Sequence, residues 1–235
     1  MRYALHTATN YDGTPNQLRG CINDWKNFLV LDDQLQIPAS NRLSLINHNY
    51  TKEAATEAVS RFAALMEPGD VLIGSNSSHG VPIRDLDGDE VDGMDEALVD
   101  NDGKYILDDD IFAGLKKFQE GTLVVAFLDN CFSGSMDRSF KLKNWHLMTG
   151  DIACNAVMMF GCREKQTAAD AYIDGQFQGA MTAYALKNLR KAKFDITYGE
   201  LLEATNRSLK LGGFIQVAQM AVTSEDLLNK KFFTM

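Results

Sequence analysis

Two short motifs carry the residue types of thiol chemistry: Ser77-Ser78-His79-Gly80 and Asp129-Asn130-Cys131-Phe132-Ser133-Gly134. A cysteine is a strong nucleophile only as its thiolate, so a histidine close enough to take the proton would make Cys131 reactive. The first motif follows Asp70-Val71-Leu72-Ile73-Gly74 and the second follows Thr122-Leu123-Val124-Val125-Ala126-Phe127-Leu128. Both runs read as buried strands of a parallel sheet. In open α/β sheets, sites collect beyond the carboxyl ends of the strands, and both motifs fall there. A His or a Cys alone at a strand end is more often packed or solvated than catalytic. The two together, each beside Ser and Gly, point to catalysis.

The elements that must hold these motifs follow from periodicity. The spacing predicts a strand over Tyr3 to Thr9, then a helix within Leu18 to Leu35 with Ile22, Trp25, Phe28, Leu29 and Leu31 as its apolar positions. A second strand is expected over Arg42 to Asn47. Thr51 to Met66 predicts a helix with Thr51 as N-cap, ended by Pro68-Gly69. Asp108 to Phe118 predicts another, with carboxylates in its first turn where they complement the helix dipole. Ser133 to Asp151 reads as an irregular polar loop, Ala156 to Phe160 as a strand, and Gly179 to Leu189 and Tyr198 to Leu209 as helices. Phe214 to Met220 reads as a last strand at an edge of the sheet. Alternating strands and helices imply a doubly wound α/β sheet.

Composition narrows the function classes. The chain has 235 residues, is 45% hydrophobic and carries a formal net charge of −9. That size supports one sizeable core, and we expect a single domain over 1–235 without a prodomain, as a monomer. The acidic balance argues against a nucleic-acid partner, and no run of membrane length appears, so a cytoplasmic protein is the expectation. Four scattered cysteines, Cys21, Cys131, Cys154 and Cys162, do not form a disulfide framework. Dinucleotide-binding and P-loop patterns are absent, which removes the support for cofactor redox and phosphoryl transfer. His6, His48 and His146 lack the context of His79 and read as structural or surface groups.

The ordered set of motifs resembles the caspase-fold cysteine peptidases, most of all the metacaspases and their bacterial relatives. The resemblance rests on Gly20-Cys21-Ile22-Asn23-Asp24, the two motifs above, the acidic stretch Asp87 to Gly93, Leu107-Asp108-Asp109-Asp110, Cys162 to Asp170, and Gly179-Ala180-Met181-Thr182. It implies a three-layer α/β/α sandwich with a mostly parallel central sheet of about six strands. It also implies a cysteine endopeptidase with a His79–Cys131 dyad, an oxyanion hole from the backbone N–H groups of Gly80 and Cys131, and no cofactor required for the chemistry. Asp24, Asp129 and Asp170 match positions that form an acidic pocket for the residue before the cut, with Cys21 and Ser77 at other pocket-lining positions. Such a pocket selects Arg or Lys, since carboxylates pair with guanidinium and ammonium groups. Each aspartate alone also reads as a helix cap or a surface charge.

The run Asp85 to Glu96 partly follows a calcium-loop pattern but places Glu90 where an EF-hand needs Gly. The family suggests another calcium site instead, with Asp108 and Asp109 joined by Asp89 and Asp137 and the ion as an activator. Plain capping of a helix by Asp108 to Asp110 is the alternative. Phe132 departs from the His that many metacaspases carry after the nucleophile. Three other functions stay open: a catalytically silent scaffold, a calcium-responsive interaction module, and a thiol hydrolase acting on small esters or amides.

Overall fold

A computed structural model of the chain describes residues 1–84, 94–132, 144–148, 150–162 and 171–234, with only the backbone for residues 94, 95, 131, 132 and 162. The first part of the chain runs β1 (Arg2–Ala8), α1 (Cys21–Gln34), β2 (Arg42–Ile46), α2 (Lys52–Leu65), β3 (Val71–Ser77), β4 (Gly80–Arg84), β5 (Met94–Val99), β6 (Tyr105–Leu107) and α3 (Asp108–Leu115). Then come β7 (Leu123–Phe132), β8 (Trp145–Leu147), β9 (Asn155–Cys162), β10 (Ala171–Ile173), β11 (Gln176–Gln178), α4 (Ala180–Lys191), α5 (Tyr198–Leu211) and β12 (Val217–Val222).

Seven strands form the central sheet in the order β2-β1-β3-β7-β9-β12-β8. The expected count was about six. The extra strand is β8, which runs parallel to β12 at the edge and lies inside the stretch read as a loop. Three residues are too few for a periodic signal to show. The final strand is also not at the edge, because β12 lies between β9, its antiparallel partner, and β8. The other pairings in the sheet are parallel. Two small antiparallel sheets, β4-β5-β6 and β10-β11, were not foreseen.

The sheet separates two layers of helices because alternate residues of each strand face opposite sides. Ile73, Val125 and Phe127 pack with Phe28 and Leu31 of α1, Leu186 of α4 and Leu201 of α5. Leu72, Val124 and Leu128 pack with Phe62 of α2 and Leu115 of α3. Phe127 is only 2% exposed, and truncating such a side chain to Ala costs about 3–5 kcal/mol. The expected three-layer sandwich is the observed architecture. Among the described residues, no helix is long and apolar enough to cross a membrane.

The helix starts follow local chemistry. Thr51 caps α2, accepting the Ala54 N–H at 3.2 Å. Thr197 and Glu200 form a reciprocal capping box at α5, with hydrogen bonds of 3.2 and 2.8 Å. Asp110 accepts the Leu107 N–H at 2.9 Å, so part of the acidic run caps α3, which ends at Leu115 rather than Phe118.

Candidate active site

His79 and Cys131 follow from neighbouring strands. β3 pairs with β7 from Val71↔Leu123 to Asn76↔Leu128, and both motifs lie at the carboxyl end of that ladder. Beyond Leu128 the sheet changes register. Leu128 pairs with Phe160 and Phe132 with Cys162, so four steps along β7 match two along β9. A bulge of this kind bends a strand and re-aims its side chains, and it falls on Asp129-Asn130-Cys131.

Where the β3–β7 ladder stops, side chains continue it. Asn130 is fully buried, and its Nδ2 lies 2.9 Å from the Ser78 carbonyl oxygen and 2.7 Å from Asn76 Oδ1. Ser78 Oγ donates to Asn76 Oδ1 at 2.9 Å. These bonds tie the residue before Cys131 to the residue before His79. An Asn between two motif residues carries no distinctive sequence signal, and this role was not foreseen.

His79 is half-buried and held from three sides. Its Nε2 lies 2.7 Å from the Asn16 carbonyl oxygen. A carbonyl can only accept, so Nε2 carries the hydrogen and Nδ1 is left as the nitrogen that can exchange a proton. The His79 N–H donates to Tyr11 Oη at 3.0 Å, and Tyr11 in turn donates to the Val99 carbonyl at 2.6 Å. The Tyr11 ring packs on the imidazole with centroids 4.7 Å apart. Tyr11 has φ +52° and opens the first of two successive turns, Tyr11–Thr14 and Thr14–Gln17, the second of which contains Asn16. Ala8, Tyr11, Leu18 and Cys21 form a small apolar cluster, so Cys21 is buried in the same cluster as the tyrosine that packs on the imidazole. Gly80 is buried and begins β4, opposite Leu98 of β5. The side chain of Cys131 lies outside the described residues.

Asp24 and Asp129 come together at the N-terminus of α4. Asp24 is fully buried, accepts the Ser77 hydroxyl at 2.7 Å, and accepts the Gly179 N–H through both oxygens at 2.9 and 3.1 Å. Asp129 is 1% exposed and accepts the Thr182 N–H at 2.9 Å. Gly179 is needed because a Cβ there would collide with Asp129 and meet Asp24 Oδ2 at 2.9 Å. Burial, and then the nearby Asp129, push the Asp24 carboxyl well above the usual carboxylate range, against the opposing hydrogen bonds from Ser77 and Gly179. Three of the expected pocket residues, Asp24, Ser77 and Asp129, thus share one buried acidic cluster. Asp170 lies outside the described residues.

The inward face of α1 differs from the apolar pattern in the sequence. Its buried residues include Asp24 and Asp32, whereas Ile22 and Trp25 are only half-buried. Asp32 lies 3.1 Å from His6 Nε2, and His6 Nδ1 lies 2.8 Å from Ser75 Oγ. This buried trio joins β1 and β3 to α1.

Of the four expected calcium ligands, Asp89 and Asp137 lie outside the described residues. Asp108 and Asp109 begin α3, where Asp109 is exposed. Asp110 is taken by Lys52 and the Leu107 N–H. Among the described residues no group of three or more His, Cys, Asp or Glu could hold a metal ion. Asp108 and Asp109 alone fall short of the six to eight oxygens that calcium takes.

Cys154 is buried and its thiol is pushed up to about 11 by burial, which keeps it protonated and inert at neutral pH.

A family model described as caspase domain matches residues 1–233. The chain is 32% identical over 232 residues to metacaspase-2 of Arabidopsis thaliana, an alignment covering 87% of this chain and 55% of that protein. It is 27% identical over 265 residues to metacaspase-2 of Trypanosoma brucei brucei, covering 97% of this chain and 75% of that protein. The chain therefore spans only about half the length of the Arabidopsis relative. Its fold matches protein GSU0716 from Geobacter sulfurreducens at a TM-score of 0.75 and 23% identity, covering 100% of this chain and 98% of that one. It also matches caspase-1 from Spodoptera frugiperda at 0.59 and 12%, covering 95% and 86%.

Proposed function

The chain belongs to the caspase-domain family of cysteine peptidases, and from that premise we propose that it is an endopeptidase cutting after Arg or Lys with a His79–Cys131 dyad. Cys131 attacks the scissile carbonyl as a thiolate, and His79 moves the proton through Nδ1, first taking it from the thiol and then giving it to the leaving amine. The backbone N–H groups of Gly80 and Cys131 are the proposed donors to the oxyanion. A dyad is sufficient because a thiol ionises far more readily than a hydroxyl.

The observation that carries the substrate preference is the buried pair Asp24 and Asp129, both touching the site of Gly179. Two carboxylates at one buried site repel each other, and a guanidinium or ammonium from the substrate relieves that repulsion. The same contacts cap α4, so the pair has a structural role as well. Calcium is proposed only as an activator, and no chemical step passes through it.

The test is hydrolysis of fluorogenic peptides ending in Arg, Lys or Asp, with and without calcium, by wild type and Cys131→Ala. Cleavage after Arg and Lys that disappears in Cys131→Ala is the expected result. Cleavage after Asp would overturn the role of the acidic pair and keep the nucleophile. Absence of cleavage for every peptide would favour the scaffold, and a rate indifferent to calcium would remove the activator.

A further inference from the structure

Helix α1 buries two carboxylates and surrounds them differently. Asp32 lies 3.1 Å from His6 Nε2 and 4.0 Å from Arg42 Nε, so groups that carry or can take a positive charge stand beside it. Asp24 is fully buried and meets the Ser77 hydroxyl, the Gly179 N–H and the carboxylate of Asp129. Among the described residues Asp129 is the titratable group that faces Asp24, and no cation pairs with Asp24. Asp129 is 1% exposed and accepts the Thr182 N–H, while its Oδ1 and Gln216 Nε2 would both meet a Cβ built on Gly161, at 2.5 and 2.8 Å. A Cβ on Gly179 would meet the Oδ2 atoms of both aspartates. These two oxygens therefore lie within about 5 Å of one another, the range over which one carboxylate disfavours ionisation of the next.

The donors around Asp24 are neutral, and the N-terminus of α4 supplies the equivalent of about half a positive charge. That suits one carboxylate. A second gains more by keeping its proton than by ionising beside the first in a site closed to water. Ser77 Oγ suits either state, because a hydroxyl donates to an ionised Asp24 and accepts from a protonated one. Burial and Asp129 hold the Asp24 carboxyl well above its usual range, in keeping with a proton there.

We propose that the acidic pair of the free protein carries one proton and that a guanidinium or ammonium group entering the pair displaces it to solvent, a step that rests on the pair being the pocket for the residue before the cut. The Asp24 O–H bond breaks, water takes the proton, and the carboxylate closes on the incoming cation. The site holds one net negative charge before the exchange and one after it, so a second uncompensated charge is never buried. A basic residue therefore binds more tightly as pH rises, until the pair of the free protein has lost its proton unaided. An uncharged isostere of arginine gains nothing from that rise.

The experiment is calorimetric titration of the full chain carrying Cys131→Ala with a peptide that has Arg before the cut, and with the same peptide carrying citrulline there. Buffers of different ionisation enthalpy, at a series of pH values, count the protons released, and the citrulline peptide corrects for any proton moved at His79. Release of about one proton per Arg peptide at the acid end, falling to none at the alkaline end, is expected, with Kd falling about tenfold per pH unit between them. The infrared carbonyl band of a protonated carboxyl should be present in the free protein and absent with Arg peptide bound or in Asp24→Asn. Should Asp24→Asn not fold by circular dichroism, Asp129→Asn breaks the pair from the other side, and the loss of the pH dependence of Kd replaces the band as its readout. Binding of the Arg peptide without proton release at any pH would overturn the exchange and leave the pocket standing. Equal binding of the Arg and citrulline peptides at every pH would overturn the pocket and the exchange together.

Discussion

Asn130 Nδ2 lies 2.9 Å from the Ser78 carbonyl oxygen, so the residue before Cys131 and the residue before His79 are held together by one buried side chain. The bond takes over where the β3–β7 ladder ends at Asn76↔Leu128. It fixes the separation of two strand ends that the backbone no longer joins.

Asn130→Ala is expected to take the Asn130 donor from the Ser78 carbonyl and to leave Asn76 Oδ1 with the Ser78 hydroxyl alone, costing about 1–3 kcal/mol of stability. The loss of register between the two motifs should lower kcat by about tenfold or more while KM for an Arg peptide changes little. Urea denaturation and steady-state kinetics on the same preparation check both. A variant with reduced stability and unchanged kcat would leave Asn130 as a purely structural bond.

Tyr11→Phe keeps the ring on the imidazole and removes only the hydroxyl that links the His79 N–H to the Val99 carbonyl. The expected result is a stability loss of about 1–3 kcal/mol and a several-fold fall in kcat with a displaced pH–rate profile. Tyr11→Leu, which also removes the ring, should lose more. A pH–rate profile identical to wild type would show that Tyr11 supports the loop without positioning the histidine.

The Asp24 carboxyl lies above its ordinary range in the folded chain, first because of burial and then because of Asp129. In the unfolded chain it should titrate near the usual value of about 3.9. Below that pH both states hold the proton and the group costs nothing. As pH rises through about 4 the unfolded chain releases it first, so the folded state loses stability until its own carboxyl ionises. Wild type is therefore expected to lose stability relative to Asp24→Asn as pH rises from 4 upward, measured by urea midpoints at a series of pH values. A difference that grows in the opposite direction would show that the Ser77 and Gly179 hydrogen bonds outweigh burial.

Much of the fold is legible in the sequence because its signals are local. Buried parallel strands such as Leu123 to Leu128 are continuous apolar runs, and Thr51 and the Thr197–Glu200 pair announce their helices through side chains that bond the nearest backbone. Short elements without such signals, β8 and the β10–β11 hairpin, were missed.

The sequence by itself determined the alternation of elements, the presence of His79 and Cys131 after two apolar strands, and the order of motifs that marks the family. Tertiary structure alone decided that Asp24, 105 residues before Asp129 along the chain, shares its buried site at Gly179. It also decided that Asn16 and Tyr11 hold His79, and that a bulge re-aims the end of β7. The physical reason is range. Propensity, capping and hydrophobic period act over a few residues, whereas burial, the repulsion of two carboxylates and a hydrogen bond between strand ends exist only after distant segments have packed.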